Sequence, residues 1–335
     1  MSLFHKAPHN TSPVSCTILA KFDGLNGERL SEWYRLHLSG FYEWEDREHA
    51  DKWLLFPENI GPYLSIDETS LSDDELYTII TNKEAKGRKG SIVAIIRGTK
   101  AEEVIEVLLK IKDRLRRKVK EVTLDMAANM SLIVSRCFPK ASQVTDRFHV
   151  QKLACDALQD MRIAFRWKAI EQENKEIALA KEMNESYTPE VLENGDTHRQ
   201  LLIRSRYLLF KNEDKWIPRQ RQRAEILFHY YPTLETAYKL TMQLKRIYHT
   251  TKDKKVALTR LAKWYNAIEE SGFEHFGTVM RSVQAHYKTI LNFFERRATN
   301  ASAESFNAKI KAFRSQLRGV NNIPYFLFRL KNIYA

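Results

Sequence analysis

Strand-forming sequence in this chain is concentrated at residues 63–147, and beyond it the apolar residues recur almost throughout with the spacing of an α-helix. Three β-branched, apolar runs come first, at 63–69, Leu76–Asn82 and Ser91–Gly98. The links between them are short, which favours an antiparallel meander. A chain divided in this way has to build one sheet early and then continue as packed helices.

The second half of the strand-rich region alternates between helix and strand. An amphipathic helix begins at Ala101, and after it come a strand at Val119–Asp125, a short helix at Met130–Phe138 and a strand at Ala141–Arg147. Helical crossovers between added strands produce parallel pairing. The order βββαβαβ therefore predicts an α/β fold, an RNase H-like mixed five-stranded sheet with helices on its faces.

The charge of the chain is unevenly distributed. Basic residues outnumber acidic ones by 54 to 42, a net charge of +12. Residues 1–80 nevertheless hold 6 basic and 14 acidic residues, so the rest of the chain carries +20. Any site for a polyanion is therefore expected after residue 80. The acidic region contains one amphipathic stretch, Arg29–Trp44, which we interpret as a packing or docking helix.

Cysteine usage and hydropathy exclude several classes of protein. The three cysteines are widely spaced and form no CxxC pair, which excludes a disulfide framework and a zinc ribbon and is typical of a reducing compartment. The first 25 residues lack the apolar core of a signal peptide, and no apolar run approaches the length that spans a bilayer. We expect a soluble cytoplasmic protein that does not bind membranes.

Two aspartates stand where strands of such a sheet would carry functional groups. Asp67 lies in the first strand, and Asp125 closes the fourth, just before the chain turns into a helix. In an RNase H-like topology these two strands are neighbours, so the carboxylates can share a divalent ion, which prefers hard oxygen ligands. Each aspartate alone is also consistent with a helix cap or a turn.

A third acid, Glu304, falls in the first turn of a helix for which Ser302 is a good N-cap. Asn307 follows one turn later and Lys311 two turns later on the same side. A carboxylate, an amide and a cation on one helix face suit a metal-bound phosphodiester. The helix dipole alone also explains an acid in a first turn.

Four segments together resemble the DDE transposases of bacterial insertion sequences, and among these the ISL-three-like group. The segments are SIDETS, VTLDMAANM, FPKASQVTDRFHVQKL and TNASAESFNAKIKAF. The resemblance extends from Tyr63 to the C-terminus, and its most specific part is the DRFHV segment together with the helix around Glu304. It implies that Asp67, Asp125 and Glu304 are the catalytic, metal-binding acids.

The resemblance also implies an RNase H-like core interrupted by a large all-helical insertion before the last catalytic helix. The 179 residues between Asp125 and Glu304 are far more than one crossover needs. The predicted domains are an acidic helical N-terminal segment (1–60), the first part of the core (61–150), the insertion (151–295) and a C-terminal helix that completes the core (296–335).

The chemistry implied by the resemblance is phosphoryl transfer with two Mg²⁺ or Mn²⁺ ions in each active site. Water first cleaves the DNA at the element end, and the freed 3′-OH then attacks target DNA. The implied partner is double-stranded DNA, at element ends and target. Because two ends have to be brought together, a dimer or larger assembly is expected on DNA. The implied location is the nucleoid of a bacterial cytoplasm.

One departure from the group concerns the N-terminal segment. Members of the group carry a zinc-binding and helix-turn-helix region there, whereas this segment is acidic and lacks cysteine pairs. We therefore expect end recognition to reside on a separately encoded DNA-binding subunit.

Further residues are assigned by type and position. Asp146 is an alternative third metal ligand, and His149 is either catalytic or a structural histidine at the strand-to-helix junction. Trp216 either stacks on an unpaired base or packs in the core. The residues predicted to contact DNA are Lys86, Arg88, Lys89, Trp216, Arg219, Arg221, Asn307, Lys311 and Arg314.

Two other functions remain open from the sequence. A structure-specific nuclease or resolvase on the same fold would cut DNA without joining it. A non-catalytic DNA-binding protein derived from a transposase would do neither, although the presence of all three acids counts against it.

Overall fold

The computed structural model describes residues 12–22, 24–72, 75–317, 320 and 322–335. The chain forms two compact units. The sheet unit comprises the chain up to Asp146 together with Ala298–Ala335, and the helical unit is Arg147–Arg297. The two units divide after Asp146 and after Arg297, whereas the insertion is predicted at 151–295.

The sheet unit is built on six strands in a single mixed sheet. The strands are β1 (Trp53–Leu55), β2 (Tyr63–Ser72), β3 (Glu75–Asn82), β4 (Ile92–Arg97), β5 (Glu121–Leu124) and β6 (Ser142–Thr145).

The strand order is β1-β4-β3-β2-β5-β6. Strands β2, β3 and β4 pair antiparallel as a meander, and β5 and β6 are added parallel to β2. The meander and the two parallel additions agree with the sequence prediction. The prediction of five strands was wrong by one strand. The N-terminal segment, predicted as helical, also contributes the edge strand β1, which pairs antiparallel with β4.

Among the described residues, five α-helices accompany these strands, two in the N-terminal segment and three between β4 and β6. The helices in chain order are α1 (Cys16–Phe22), α2 (Gly27–His37), α3 (Ala101–Leu109), α4 (Asp113–Arg116) and α5 (Ala128–Cys137). The predicted helix Arg29–Trp44 ends early, at His37, and Gly40 beyond its end takes a positive φ of 74°. The predicted helix from Ala101 is likewise divided into α3 and α4.

Helices α3 and α5 cover one face of the sheet, which is apolar. Leu64, Ile66, Val122 and Leu124 from the central strands pack there in one core cluster with residues of both helices. Burying each such side chain contributes roughly 1.5–3 kcal/mol, so this face supplies much of the stability of the unit.

The opposite face is covered by two helices from the end of the chain, α12 (Ala301–Gln316) and α13 (Ile323–Tyr334). Phe306, Ile310 and Phe313 of α12 pack over β3 and β4 in a second core cluster. Helix α12, which follows the helical unit in the sequence, thus packs on the sheet.

The described residues of the helical unit form six α-helices and no strand. They are α6 (Arg147–Glu182), α7 (His198–Arg204), α8 (Pro218–Tyr230), α9 (Pro232–Thr250), α10 (Lys254–Ser271) and α11 (Gly277–Arg296). The polar stretch 183–197 is an internal loop of this unit, between α6 and α7. No helix in the described part of the chain is both long and apolar enough to cross a membrane.

Candidate functional site

Asp67 and Asp125 lie side by side at the same level of two neighbouring strands. Ser65 of β2 pairs with Thr123 of the parallel strand β5, and each aspartate stands two residues further along its own strand. Both are half-buried. The backbone N–H of Ala127 donates to Asp125 Oδ1 at 2.8 Å, which fixes that carboxylate at the turn into α5.

Asp146 continues this row on the third parallel strand. Leu124 pairs with Thr145, so Asp146 follows its strand at the level of Asp125. Its backbone N–H donates to the carbonyl oxygen of Leu124 at 2.9 Å. The residue is only 2% exposed, in contrast to the half-buried Asp67 and Asp125. The alternative role of Asp146 therefore has a geometric basis, although its side chain is much less accessible.

Helix α12 brings the third predicted acid to this edge of the sheet. Asn307 Nδ2 donates a 2.7 Å hydrogen bond to Asp67 Oδ2, which joins residues 240 positions apart. Glu304 lies one turn before Asn307 on the same side of α12, and its side chain is exposed. The N-cap is Asn300 rather than the predicted Ser302, which sits in the first turn with its Oγ buried and without a hydrogen-bond partner.

The donor set suits a hard divalent cation, but it is not a closed cluster. Asp67 and Asp125 offer carboxylate oxygens from adjacent strands, the ligand type that Mg²⁺ and Mn²⁺ prefer. Within the described residues, no three His, Cys, Asp or Glu side chains lie close enough together to hold a metal ion. The register of β2 and β5 pairs the first two acids, and Glu304 lies on α12, the helix that Asn307 joins to Asp67.

Glu68 is a carboxylate at this edge that the sequence analysis missed. Burial raises the pKa of Glu68, the Asn129 hydrogen bond opposes this shift, and the charges of Asp125 and Asp67 raise the pKa further. Asn129 of α5 donates to Glu68 Oε1 at 3.4 Å and to the Thr99 carbonyl at 2.9 Å. The only signal in the sequence was its position directly after Asp67.

A buried ion pair lies on the same face of the sheet, below the two aspartates. Lys83 Nζ donates to Glu121 Oε1 at 2.8 Å and to Thr123 Oγ1 at 2.6 Å. The side chains of Lys83 and Glu121 are only 14% and 8% exposed. Thr123 precedes Asp125 by two residues on β5, so this pair fixes the strand that carries the second aspartate. No local pattern marks Lys83 among the many lysines of the chain.

The predicted DNA contacts of the sheet unit lie at its surface. Lys86, Arg88 and Lys89 are exposed in the turn between β3 and β4, and Lys311 is exposed on α12. Arg314 is half-buried, and its Nη1 lies 3.5 Å from the carbonyl oxygen of Ser70.

The turn between β3 and β4 and helix α12 approach each other closely. Lys309 Nζ donates to the carbonyl oxygen of Gly87 at 2.9 Å. Gly87 has a φ of +70°, and a Cβ there would stand 2.9 Å from the same Nζ, so the turn requires glycine. This contact places the exposed cations of the turn beside the helix that carries Glu304.

The remaining predicted residues belong to the helical unit. His149 is half-buried in the first turn of α6. Trp216 Nε1 donates to the carbonyl oxygen of Leu208 at 2.9 Å, and the Trp216 ring stacks on Tyr238 at 5.4 Å between centroids. This placement favours packing over base stacking for Trp216. Arg219 and Arg221 are exposed on α8.

Comparison with known proteins identifies relatives of this chain. The model of the ISL3 family of DDE transposases, with the description "Transposase", matches residues 64–330. The transposase for insertion sequence element IS1001 from Bordetella parapertussis is 23% identical over 272 residues, which are 80% of this chain and 60% of the relative. The chain thus spans less than two thirds of that relative's length.

Among solved structures, the Drosophila P element transposase strand transfer complex matches with a TM-score of 0.36 and 11% sequence identity, over 94% of this chain and 86% of that one. The family match covers both aspartates, the helix that carries Glu304 and most of the chain. The chain belongs to the ISL3 family of DDE transposases.

Proposed function

We propose that this chain is the catalytic part of a DNA transposase, which cleaves the ends of an insertion sequence and joins them to target DNA. The observation that carries the proposal is the hydrogen bond from Asn307 to Asp67. It joins the helix of Glu304 to the strand of the first aspartate, and the register of β2 with β5 supports a shared site for Asp67 and Asp125. The family match supports the transposase function.

In this proposal the sheet unit is an RNase H-like catalytic core, and Arg147–Arg297 is the insertion. Asp67, Asp125 and Glu304 would hold Mg²⁺ or Mn²⁺, two ions in each site. The ions would supply charge stabilisation for an in-line phosphoryl transfer. Asn307 orients the Asp67 carboxylate through its amide, and the Ala127 N–H orients Asp125.

Exposed cations next to the acids would hold the DNA backbone. Lys86, Arg88 and Lys89 in the turn and Lys311 on α12 are available to phosphates, since all four are exposed. Arg219 and Arg221 of the helical unit are proposed contacts on the same ground. His149 is proposed to act on the phosphate or on its attacking water.

The partners remain those that the sequence predicts. Double-stranded DNA is the substrate, both as element ends and as target, and a dimer or larger assembly forms on it. In this proposal a separate DNA-binding subunit recognises the ends, and the acidic residues 1–80 do not. The bacterial nucleoid is the proposed place of action.

The test is strand cleavage and joining by the purified full chain, supplemented with an extract of its source cells that supplies the separate DNA-binding subunit. The substrate is a plasmid that carries the gene with its native flanking DNA, incubated with Mg²⁺ or with EDTA. Asp67→Asn, Asp125→Asn and Glu304→Gln should each lower cleavage by roughly 10³-fold or more, because each removes a metal ligand.

A matched control is Glu102→Gln, since Glu102 is also an exposed acid in the first turn of a helix. It should leave cleavage unchanged, which separates metal binding from a helix-dipole effect. Asp146→Asn tests the alternative ligand: if it abolishes cleavage while Glu304→Gln does not, the assignment of Glu304 is wrong. Cleavage without joining would indicate a nuclease, and binding alone a non-catalytic protein.

A further inference from the structure

The helical unit carries two aromatic rings that are unusually exposed, each next to an arginine. Trp167 of α6 is 57% exposed and Tyr207, just after α7, is 68% exposed. The guanidinium of Arg166 lies 5.9 Å from the Trp167 ring centroid, and that of Arg206 lies 5.4 Å from the Tyr207 centroid. Such pairs present a flat ring and a cation to the same ligand.

A third arginine connects the two pairs. Arg162 is buried, with Nη1 donating to the carbonyl oxygen of Leu202 at 2.8 Å and Nε donating to Gln159 Oε1 at 2.7 Å. Gln159 Nε2 in turn donates to the carbonyl oxygen of Arg206 at 3.2 Å. These contacts fix the segment that bears Tyr207 against the turn of α6 that precedes Trp167. The two rings are therefore carried by segments that meet at one junction, which these hydrogen bonds hold together.

The junction concentrates positive charge. Burial, followed by the charges of Arg206 and Arg166, lowers the pKa of Arg162. Within the described residues, the ion pairs of the helical unit include none made by Arg162, Arg166 or Arg206. The Nε of Arg166 is also buried without a hydrogen-bond partner. Three close cations that no carboxylate neutralises favour an anionic ligand.

We infer that this arginine–aromatic surface, formed by Arg162, Arg166, Trp167, Arg206 and Tyr207, binds unpaired, single-stranded DNA. The inference rests on the proposed function, which supplies DNA as the partner. The guanidinium groups contact phosphates, and the two rings stack on bases. Cleavage and joining create strand ends whose terminal bases are able to leave the duplex, and such ends are the ligand that this surface fits.

Duplex DNA fits the surface less well. Its phosphates would satisfy the arginines, but its base faces are already stacked on one another inside the helix. Trp167 and Tyr207 would then remain in water, whereas an unpaired base covers each ring and stays sequence-tolerant, because every base has a flat face. The surface is thus distinguished from an ordinary phosphate patch by its rings.

The experiment measures binding of the full chain to a fluorescein-labelled oligothymidine strand and to a duplex of equal length, without added divalent metal. Trp167→Ala and Tyr207→Ala should each weaken binding of the single strand by about tenfold and change duplex binding little. Trp167→Phe should restore most of the affinity. Arg166→Gln and Arg206→Gln should weaken binding and flatten its salt dependence.

A matched control is Tyr287→Ala on α11. Tyr287 is also exposed, at 48%, and carries a cation over its ring, since Lys288 Nζ lies 5.9 Å from the centroid. This variant should bind the strand as the wild-type chain does. Sedimentation of each variant reports its oligomeric state, and circular dichroism reports that it is folded.

Three results would overturn the inference. One is unchanged single-strand binding in Trp167→Ala and Tyr207→Ala. Another is an equal loss of affinity for the single strand and for the duplex, which would show that the rings do not stack on unpaired bases. The third is an altered oligomeric state with unchanged strand binding, which would make the surface an interface between protein chains. Failure of the proposed function shows elsewhere, as absence of plasmid cleavage by the wild-type chain, and leaves these binding results intact.

Discussion

The two faces of the central sheet differ sharply although they are made by alternate residues of the same strands. On the face covered by α3 and α5, β2 and β5 present mainly apolar side chains, such as Leu64 and Val122, and Glu68 there accepts a hydrogen bond from Asn129 of α5. On the opposite face the same strands present Ser65, Asp67 and Thr123. Burying polar groups costs free energy unless they are hydrogen-bonded, so the second face is an unfavourable way to build a core.

This difference in polarity indicates that the two faces of the sheet have separate roles. The apolar face holds the sheet and its crossover helices together. The polar half of the other face is retained at a cost in stability, since the hydroxyls of Ser65, Thr69 and Thr81 are buried without hydrogen-bond partners. A surface of this kind points to chemistry, in line with the proposed role of Asp67 and Asp125. Substitutions on adjacent residues can test this division.

The largest expected effect comes from the apolar face. Leu64→Ala removes a fully buried side chain from the core cluster and should lower the free energy of unfolding by about 3 kcal/mol. Ser65→Ala, one residue along on the other face, removes a buried hydroxyl that has no partner and should leave stability unchanged or slightly raised. Urea unfolding measures both, and equal losses would refute the division between the faces.

The buried ion pair of the polar face gives a smaller effect. Lys83→Met leaves the Glu121 carboxylate buried without its cation and should cost about 2 kcal/mol of the free energy of unfolding. The double variant Lys83→Met/Glu121→Leu replaces the pair by apolar groups and should recover most of that loss. Additive losses in the double variant would show that the pair is not coupled.

An exposed ion pair serves as the control for Lys83. Lys239 and Glu235 form an i,i+4 pair on α9, with side chains 62% and 35% exposed. Lys239→Met should change the free energy of unfolding by no more than about 0.5 kcal/mol, because water already screens such pairs. The contrast isolates burial as the cause of the Lys83 effect.

The sequence could predict the strand order because β-branched runs, their short links and the helical crossovers are all local signals. It missed β1, since three residues, Trp53–Leu55, are too few to show a pattern. It also ran one helix through Lys110, because the apolar spacing continues to Ile111 and Leu115 although the backbone turns between α3 and α4.

The candidate site also has parts that local sequence signals predict and parts that they do not. Asp67 and Asp125 follow from strand order, since parallel register places them side by side. The contacts of Asn307 with Asp67 and of Lys83 with Glu121 join distant parts of the chain, and no periodicity or spacing encodes which amide or lysine reaches which carboxylate. Such pairings depend on three-dimensional packing, which is decided after the local elements have formed.

Apart from the controls, the smallest effect on stability is expected for removal of the hydrogen bond between α12 and the polar face. Asn307→Ala removes the hydrogen bond to the Asp67 carboxylate and should lower the free energy of unfolding by about 1.5 kcal/mol.

Asn307→Asp should cost more at neutral pH, because it sets a second carboxylate against Asp67 and raises the pKa values of both. A raised carboxyl pKa in the folded state means that the folded state binds the proton more tightly. The extra loss should therefore appear as the pH rises through these raised values and disappear below about pH 4, where the carboxyls are protonated in both states. Unfolding midpoints of the two variants across this range measure the effect, and a pH-independent difference between them would mean that residue 307 does not face Asp67 in solution.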